Sequence, residues 1–142
     1  MFTGINLLET KKQVYDIDPD QKNPTVFHLG SLNSFVKAFI EDISETIIPN
    51  PENPEGDSNL KINFAYRNLL TVKFGLRKIE NFKDPQQPAP VTVEAEEVMI
   101  LGRKCLAIPD SVLDILVSGS LINKICRDIN EMSKLSEAET KN

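Results

Sequence analysis

Few side chains in this sequence have both the type and the spacing to do chemistry. The one histidine, His28, stands in Thr25-Val26-Phe27-His28-Leu29, and the two cysteines, Cys105 and Cys126, are far apart in the chain. A zinc site would need a second histidine or ordered cysteine pairs, and the sequence has neither. A cysteine nucleophile wants an accessible, electropositive setting, whereas both thiols sit inside apolar patterns. They read as buried free thiols, and His28 reads as structural or surface. The acids Glu41-Asp42, Glu94 and Glu96-Glu97 could serve acid–base chemistry only in a perturbed pocket; as neighbours in sequence they read as a solvated face. Asp16-Ile17-Asp18-Pro19-Asp20 superficially has the look of a calcium loop. It lacks the glycine and the distal bidentate glutamate of an EF-hand. The glycines never cluster as a phosphate-cradling loop. No catalytic residue, cofactor or metal is therefore expected, and the chain reads as a non-enzyme.

Composition narrows the partners. A length of 142 residues predicts one domain with one modest core. The net charge of −5 and the acidic pI near 4.9 argue against nucleic acid, which wants a basic patch or stripe. No run approaches the roughly 18 apolar residues of a membrane span, and the opening MFTGINLLETKK lacks the pattern of a secretory signal. The protein is expected to stay where it is made.

The elements that must position these residues follow from periodicity. Residues 1–24 read as an arm or weakly ordered segment. Phe2, Ile5, Leu7 and Leu8 suit either docking on a neighbour or folding back on the domain, and Gln13 to Pro24 is polar and turn-rich. Thr25–Leu29 predicts a strand. Ser31 or Asn33 can cap a helix in which Leu32, Phe35, Val36, Phe39, Ile40 and Ile43 form one face, ending near Ile47 before Pro49. Residues 48–59 form a proline-rich loop. Leu60 to Phe74 mixes strand-like alternation with helical spacing, and a helix from about Asn63 to Phe74 is favoured. Gly75 is expected to close it in the left-handed region, with Ile79 and Phe82 in a turn.

A second proline-rich loop spans 84–90. Beyond it, Val91–Ala95, Val98–Leu101 and Lys104–Ile108 predict a small antiparallel sheet with Gly102-Arg103 as a hairpin turn, and Val26–Leu29 is a candidate partner strand for it. A short helix opens at Pro109-Asp110-Ser111 and runs through Val117, and Ser118-Gly119-Ser120 interrupts it. Leu121, Ile122, Ile125, Cys126, Ile129 and Met132 mark one face of a last helix, and 134–142 is a polar tail. The expectation is an α+β fold in which three to four helices pack with a small antiparallel sheet, as a single domain over 25–133.

Several phrases of this sequence resemble small proteins of the tail module of long-tailed bacteriophages and prophages. They are Asn23–Gly30, Arg67–Leu76 running into Glu80–Asp84, and the closing Leu135–Asn142. The resemblance spans most of the chain, in the same order, and rests on structural phrases. The stretch Lys83–Pro90 departs from it, with Pro-Gln-Gln-Pro-Ala-Pro where a short turn is usual. It implies a tail assembly chaperone, acting in the cytoplasm of the bacterial host cell, that binds the tape-measure protein and helps recruit tail-tube subunits. The alternative is a structural subunit of the tail or neck, and a homo-oligomer fits either role. An interface would use the broad apolar helix faces, through the exposed parts of Phe35, Phe39, Ile122, Ile125 and Ile129.

Overall fold

The structure, a computed structural model, describes residues 1–52, 55, 56, 58–116 and 119–141, with side chains in the last helix as far as Lys134. The chain first becomes regular at a short strand, β1 (Thr10–Gln13), which pairs antiparallel with β2 (Val26–Gly30). Residues 10–15 therefore belong to the domain and not to an arm. Tyr15 is buried, its ring edge-on to Phe27 at 5.5 Å, and its hydroxyl donates to the Asp128 carboxylate at 2.8 Å. The turn-rich segment between the strands is held by its own acids. Asp18 accepts from the Asp20 and Thr25 backbone amides, and Asp20 from that of Asn23. These carboxylates of the calcium-loop lookalike are engaged in turns.

Helix α1 (Ser34–Ser44) starts where Asn33 accepts from the Val36 amide, one orphan donor satisfied by a cap. It ends three residues earlier than its periodicity suggests. Glu45-Thr46-Ile47-Ile48 is β-branched and forms β3 (Glu45–Ile48), paired antiparallel with β4 (Asn59–Ile62) as a separate ribbon. Arg67 fastens the junction by donating to Ser44 Oγ and to Glu45. Helix α2 (Phe64–Gly75) follows, with Asn63 as its cap.

Strand β5 (Leu76–Phe82) then runs through the middle of the main sheet, where the sequence suggests a turn. Its apolar residues Leu76, Ile79 and Phe82 recur every third position. A strand can carry that spacing only because its pairing with both neighbours is irregular. Asn81, at φ 57°, absorbs one irregularity in the left-handed region that Asn tolerates, and its side chain donates to the Asn23 carbonyl. With β6 (Val91–Glu94) the sheet reads β1-β2-β5-β6, antiparallel throughout. A second ribbon, β7 (Glu96–Ile100) and β8 (Arg103–Ala107), completes the strands. Ile100 opposes Arg103, so the hairpin turn is Leu101-Gly102, one residue before the expected pair.

Short α3 (Asp110–Leu113) and long α4 (Gly119–Lys141) end the described chain, with Val117, Ser118 and Asn142 outside it. The segment expected as a tail continues α4 as far as Lys141. Among the described residues, four helices with antiparallel sheets make this an α+β domain. Helix α4 lies against α2 and β2, and Leu29, Leu76, Ile79, Ile108, Ile125 and Ile129 are the fully buried centre of the core.

The Tyr15–Asp128 contact ties the first strand region to α4 and gives a pH test. Burial first, then the hydrogen bond to Asp128, pushes the phenol well above its ordinary value of 10.0. A group whose folded pKa is raised contributes stability that is complete below the unfolded pKa and declines as pH rises above it. Tyr15→Phe is expected to be about 1 kcal/mol less stable than the parent at pH 7 through the lost hydrogen bond. The gap should narrow as pH is raised past 10, because only the parent keeps a proton that its unfolded chain has shed. Urea titrations at pH 7, 10 and 11 measure this directly.

Candidate functional site

The residues with chemical potential are not brought together. His28 is buried in β2, its Nε2 3.3 Å from Glu80 Oε2, in an orientation that makes no aligned hydrogen bond. The His28 contact, helped by Lys78, holds the Glu80 carboxyl below its ordinary range. Cys126 is buried in α4 beside Asn68 and Asn130, while Cys105 is half-buried in β8 and contacts the Val98 carbonyl. Both thiols are free, and burial raises the pKa of each. For Cys105 it outweighs the opposing pull of Arg77 and Lys73. Both are thereby kept as thiols, the less nucleophilic form. Glu41, Asp42, Glu94, Glu96 and Glu97 are exposed. Among the described residues no three His, Cys, Asp or Glu side chains are grouped as a metal-ligand set.

The half-buried cation Arg77 has a structural explanation. It lies beside the end of α2 and donates to the carbonyls of Phe74 and Ser31, where a positive charge meets the negative end of the helix. Its Nε is buried without a partner, and burial lowers its pKa. A Cβ at Gly30 would come within 2.5 Å of that Nε, so the absence of a side chain at position 30 makes room for the guanidinium.

What the fold does assemble is an open apolar groove of about 440 Å³ between α1 and the tip of the β7–β8 hairpin. Phe35, Ala38 and Phe39 come from α1, at the three- and four-residue spacing that places them on one face. Ile100 and Leu101 come from the hairpin, as does the half-buried Cys105 of β8. Phe39 is fixed from behind by an edge-on contact with Phe74 at 6.2 Å. Arg103 lies over the Phe35 ring, 3.5 Å from its centroid, leaving Phe35 60% exposed. Among the described residues, Arg103 and Asp42 are the charged residues along the groove.

Leu101 is unusual for its position. It is 86% exposed and has φ 49°, followed by Gly102 at φ 78°. Two consecutive positive φ values are the requirement of a tight hairpin turn, where Asn-Gly is the favoured pair. A leucine there carries backbone strain of about 1–2 kcal/mol and gains no burial within the domain. Met99, two positions before it, is also exposed.

Of the five residues expected at an interface, Phe35 and Phe39 line this groove. Ile122 is half-buried on α4. Ile125 and Ile129 are fully buried, which removes them from any surface. The apolar breadth of α4 is taken up by α2 and the sheet: Ile129 reaches so close to Gly75 that a Cβ there would lie 2.6 Å from it. The hairpin's contribution, Ile100, Leu101 and Arg103, was not anticipated. Its one legible signal was an apolar residue directly before the turn glycine.

No protein family model matches the chain, and neither a curated protein nor a solved structure matches it. Among the described residues no helix is long and apolar enough to cross a membrane.

Proposed function

We propose that this chain is a non-catalytic protein-binding domain, and that it serves as a tail assembly chaperone of a long-tailed phage or prophage. The open groove between α1 and the β7–β8 hairpin carries the reading. It joins two aromatic rings to a strained, solvated leucine, and exposed apolar surface of this kind is what a protein partner covers. The partners are the tape-measure protein, whose apolar segments need cover before assembly, and the tail-tube subunits. The resemblance of Asn23–Gly30, Arg67–Leu76 and Leu135–Asn142 to tail-module proteins supplies that assignment, with the cytoplasm of the bacterial host cell as its place of action.

The test is co-expression with the neighbouring tape-measure and tube proteins, followed by affinity capture and sizing. Recovery of an otherwise insoluble tape measure in a soluble complex supports the chaperone role. Phe35→Asp should weaken capture by about thirtyfold, the effect of losing an interface anchor worth about 2 kcal/mol. Its thermal transition should persist, because the Phe35 side chain is mostly in water already. Capture unaffected by Phe35→Asp would remove the groove from the interface.

The β3–β4 ribbon supports a second reading, a structural subunit of the tail or neck. Ile47 and Leu60 oppose one another on one face of this isolated two-stranded ribbon and are 69% and 56% exposed. A ribbon of that size is marginal alone, and a neighbouring subunit would cover its apolar face. Mass spectrometry of purified particles separates the two roles, since a chaperone leaves and a subunit stays.

A further inference from the structure

The leading segment of the chain is mostly apolar, carries no charged side chain, and ends beside the groove at Leu7 and Leu8. Residues 1–8 read Met-Phe-Thr-Gly-Ile-Asn-Leu-Leu, and the first charged side chain is Glu9. The segment forms no strand or helix before β1. Phe2 is 88% exposed. Leu7 and Leu8 line a small cleft of about 120 Å³ that also includes Arg77. This cleft and the groove share three lining residues, Asn33, Val36 and Cys105, so one passes into the other.

We infer that residues 1–6 are a tethered strap for the groove, with Phe2 as the group that enters it beside Phe35. This rests on the groove being the partner-binding surface and adds its regulation: the strap covers the apolar surface until a partner segment displaces it. The distances permit it. Phe2 stands five positions before Leu7, and five extended peptide steps span about 17 Å. The groove follows α1 from Phe35 to Asp42, which is about 10 Å at 1.5 Å per residue. The composition permits it too, because residues 1–8 bring no charged side chain to a groove lined by Arg103 and Asp42. Docking removes two exposed apolar surfaces from water at once, and the short tether holds the strap at high effective concentration. A partner must therefore displace a competitor built into the chain.

Cys105 provides the readout, since it lines the groove, while Cys126 is buried and serves as an internal reference. The double variant Phe2→Ser/Ile5→Ser should be alkylated by iodoacetamide at Cys105 about fivefold or more faster than the parent, with Cys126 unchanged, by peptide mapping. A synthetic peptide of residues 1–8 should restore protection of the double variant. The parent's protection should be independent of protein concentration from about 1 to 100 μM. Equal Cys105 rates in parent and variant would overturn the strap. Protection that grows with concentration would overturn its tethering within one chain and put a second copy in the groove. An increase at both cysteines would mean that the substitutions loosen the fold, and would also overturn it. The readout needs no partner protein, so its failure is distinct from failure of the capture experiment.

Discussion

Ile125→Asp is expected to leave the chain without a cooperative thermal transition. Ile125 is fully buried on the face of α4 that meets α2 and the sheet, in the centre of the core. Aspartate there removes the packing of a whole isoleucine side chain and brings a carboxylate into an apolar site. The packing loss alone costs about 2–5 kcal/mol. The polar group adds a penalty of several kcal/mol more unless it finds a partner or stays protonated. A domain of this size has about 5–15 kcal/mol to lose, so the two losses together consume most or all of its stability. Circular dichroism melts of Ile125→Asp and Phe35→Asp side by side make the comparison internal. The first should show no sigmoidal transition and the second a near-parental one. A cooperative, near-parental melt for Ile125→Asp would place that residue at the surface and reverse the assignment of the α4 face to the core.

The contrast between those two isoleucine and phenylalanine positions shows how far the sequence could be read. Both helices carry apolar residues at three- and four-residue spacing, which correctly predicts α1 and α4. Periodicity reports that a helix has an apolar face and does not report what covers it. In α4 the cover is α2, approached closely at Gly75, while part of α1's face is left open to solvent at Phe35. Deciding between them needs the tertiary arrangement, and the candidate site was legible only on its α1 side. Leu101 belongs to the site because of a turn geometry that favours other residues, which makes it a departure from local preference and not an instance of it.

The central strand β5 was obscured for a different reason. A strand is recognised by alternation, and two irregularities in the pairing of Leu76–Phe82 convert its period of two into a period near three. The residues that adapt to the irregular pairing, Arg77 beside Gly30 and Asn81 with its positive φ, are polar and add nothing to a strand-like alternation. Strand β1 was similarly hidden. Thr10-Lys11-Lys12-Gln13 has no apolar alternation because it is an exposed edge, where lysine discourages pairing with other chains. The start of α1 was more legible: Asn33, one of two residues suited to cap it, accepts the Val36 amide, and Asn63, expected near the start of α2, caps that helix by accepting the Tyr66 amide.

Gly75 tests the packing of α2 on α4 more sharply than any larger residue there. Its sequence context, after Lys73-Phe74 and before Leu76, suggests a left-handed helix terminator, but Gly102 is the one glycine with positive φ among the described residues. Gly75 is the last residue of α2, and what it supplies is the absence of a side chain: a Cβ would lie 2.6 Å from both Cδ1 and Cγ2 of Ile129. In an exposed helix, replacing glycine by a residue with a side chain usually gains up to about 1 kcal/mol. Here the steric cost outweighs that gain. The Ile129 Cδ1 can swing aside, whereas Cγ2 is attached at the branch and is held by a stiff χ1. Gly75→Val is therefore expected to lose about 3 kcal/mol or more. Ile129→Ala should lose about 2–5 kcal/mol by opening a cavity. In the double variant the valine occupies part of that cavity, so its loss should fall short of the sum of the single losses by about 2 kcal/mol. Urea unfolding of the four proteins closes the cycle. Additive losses would mean that the two residues do not meet, and that α4 takes a different position over α2.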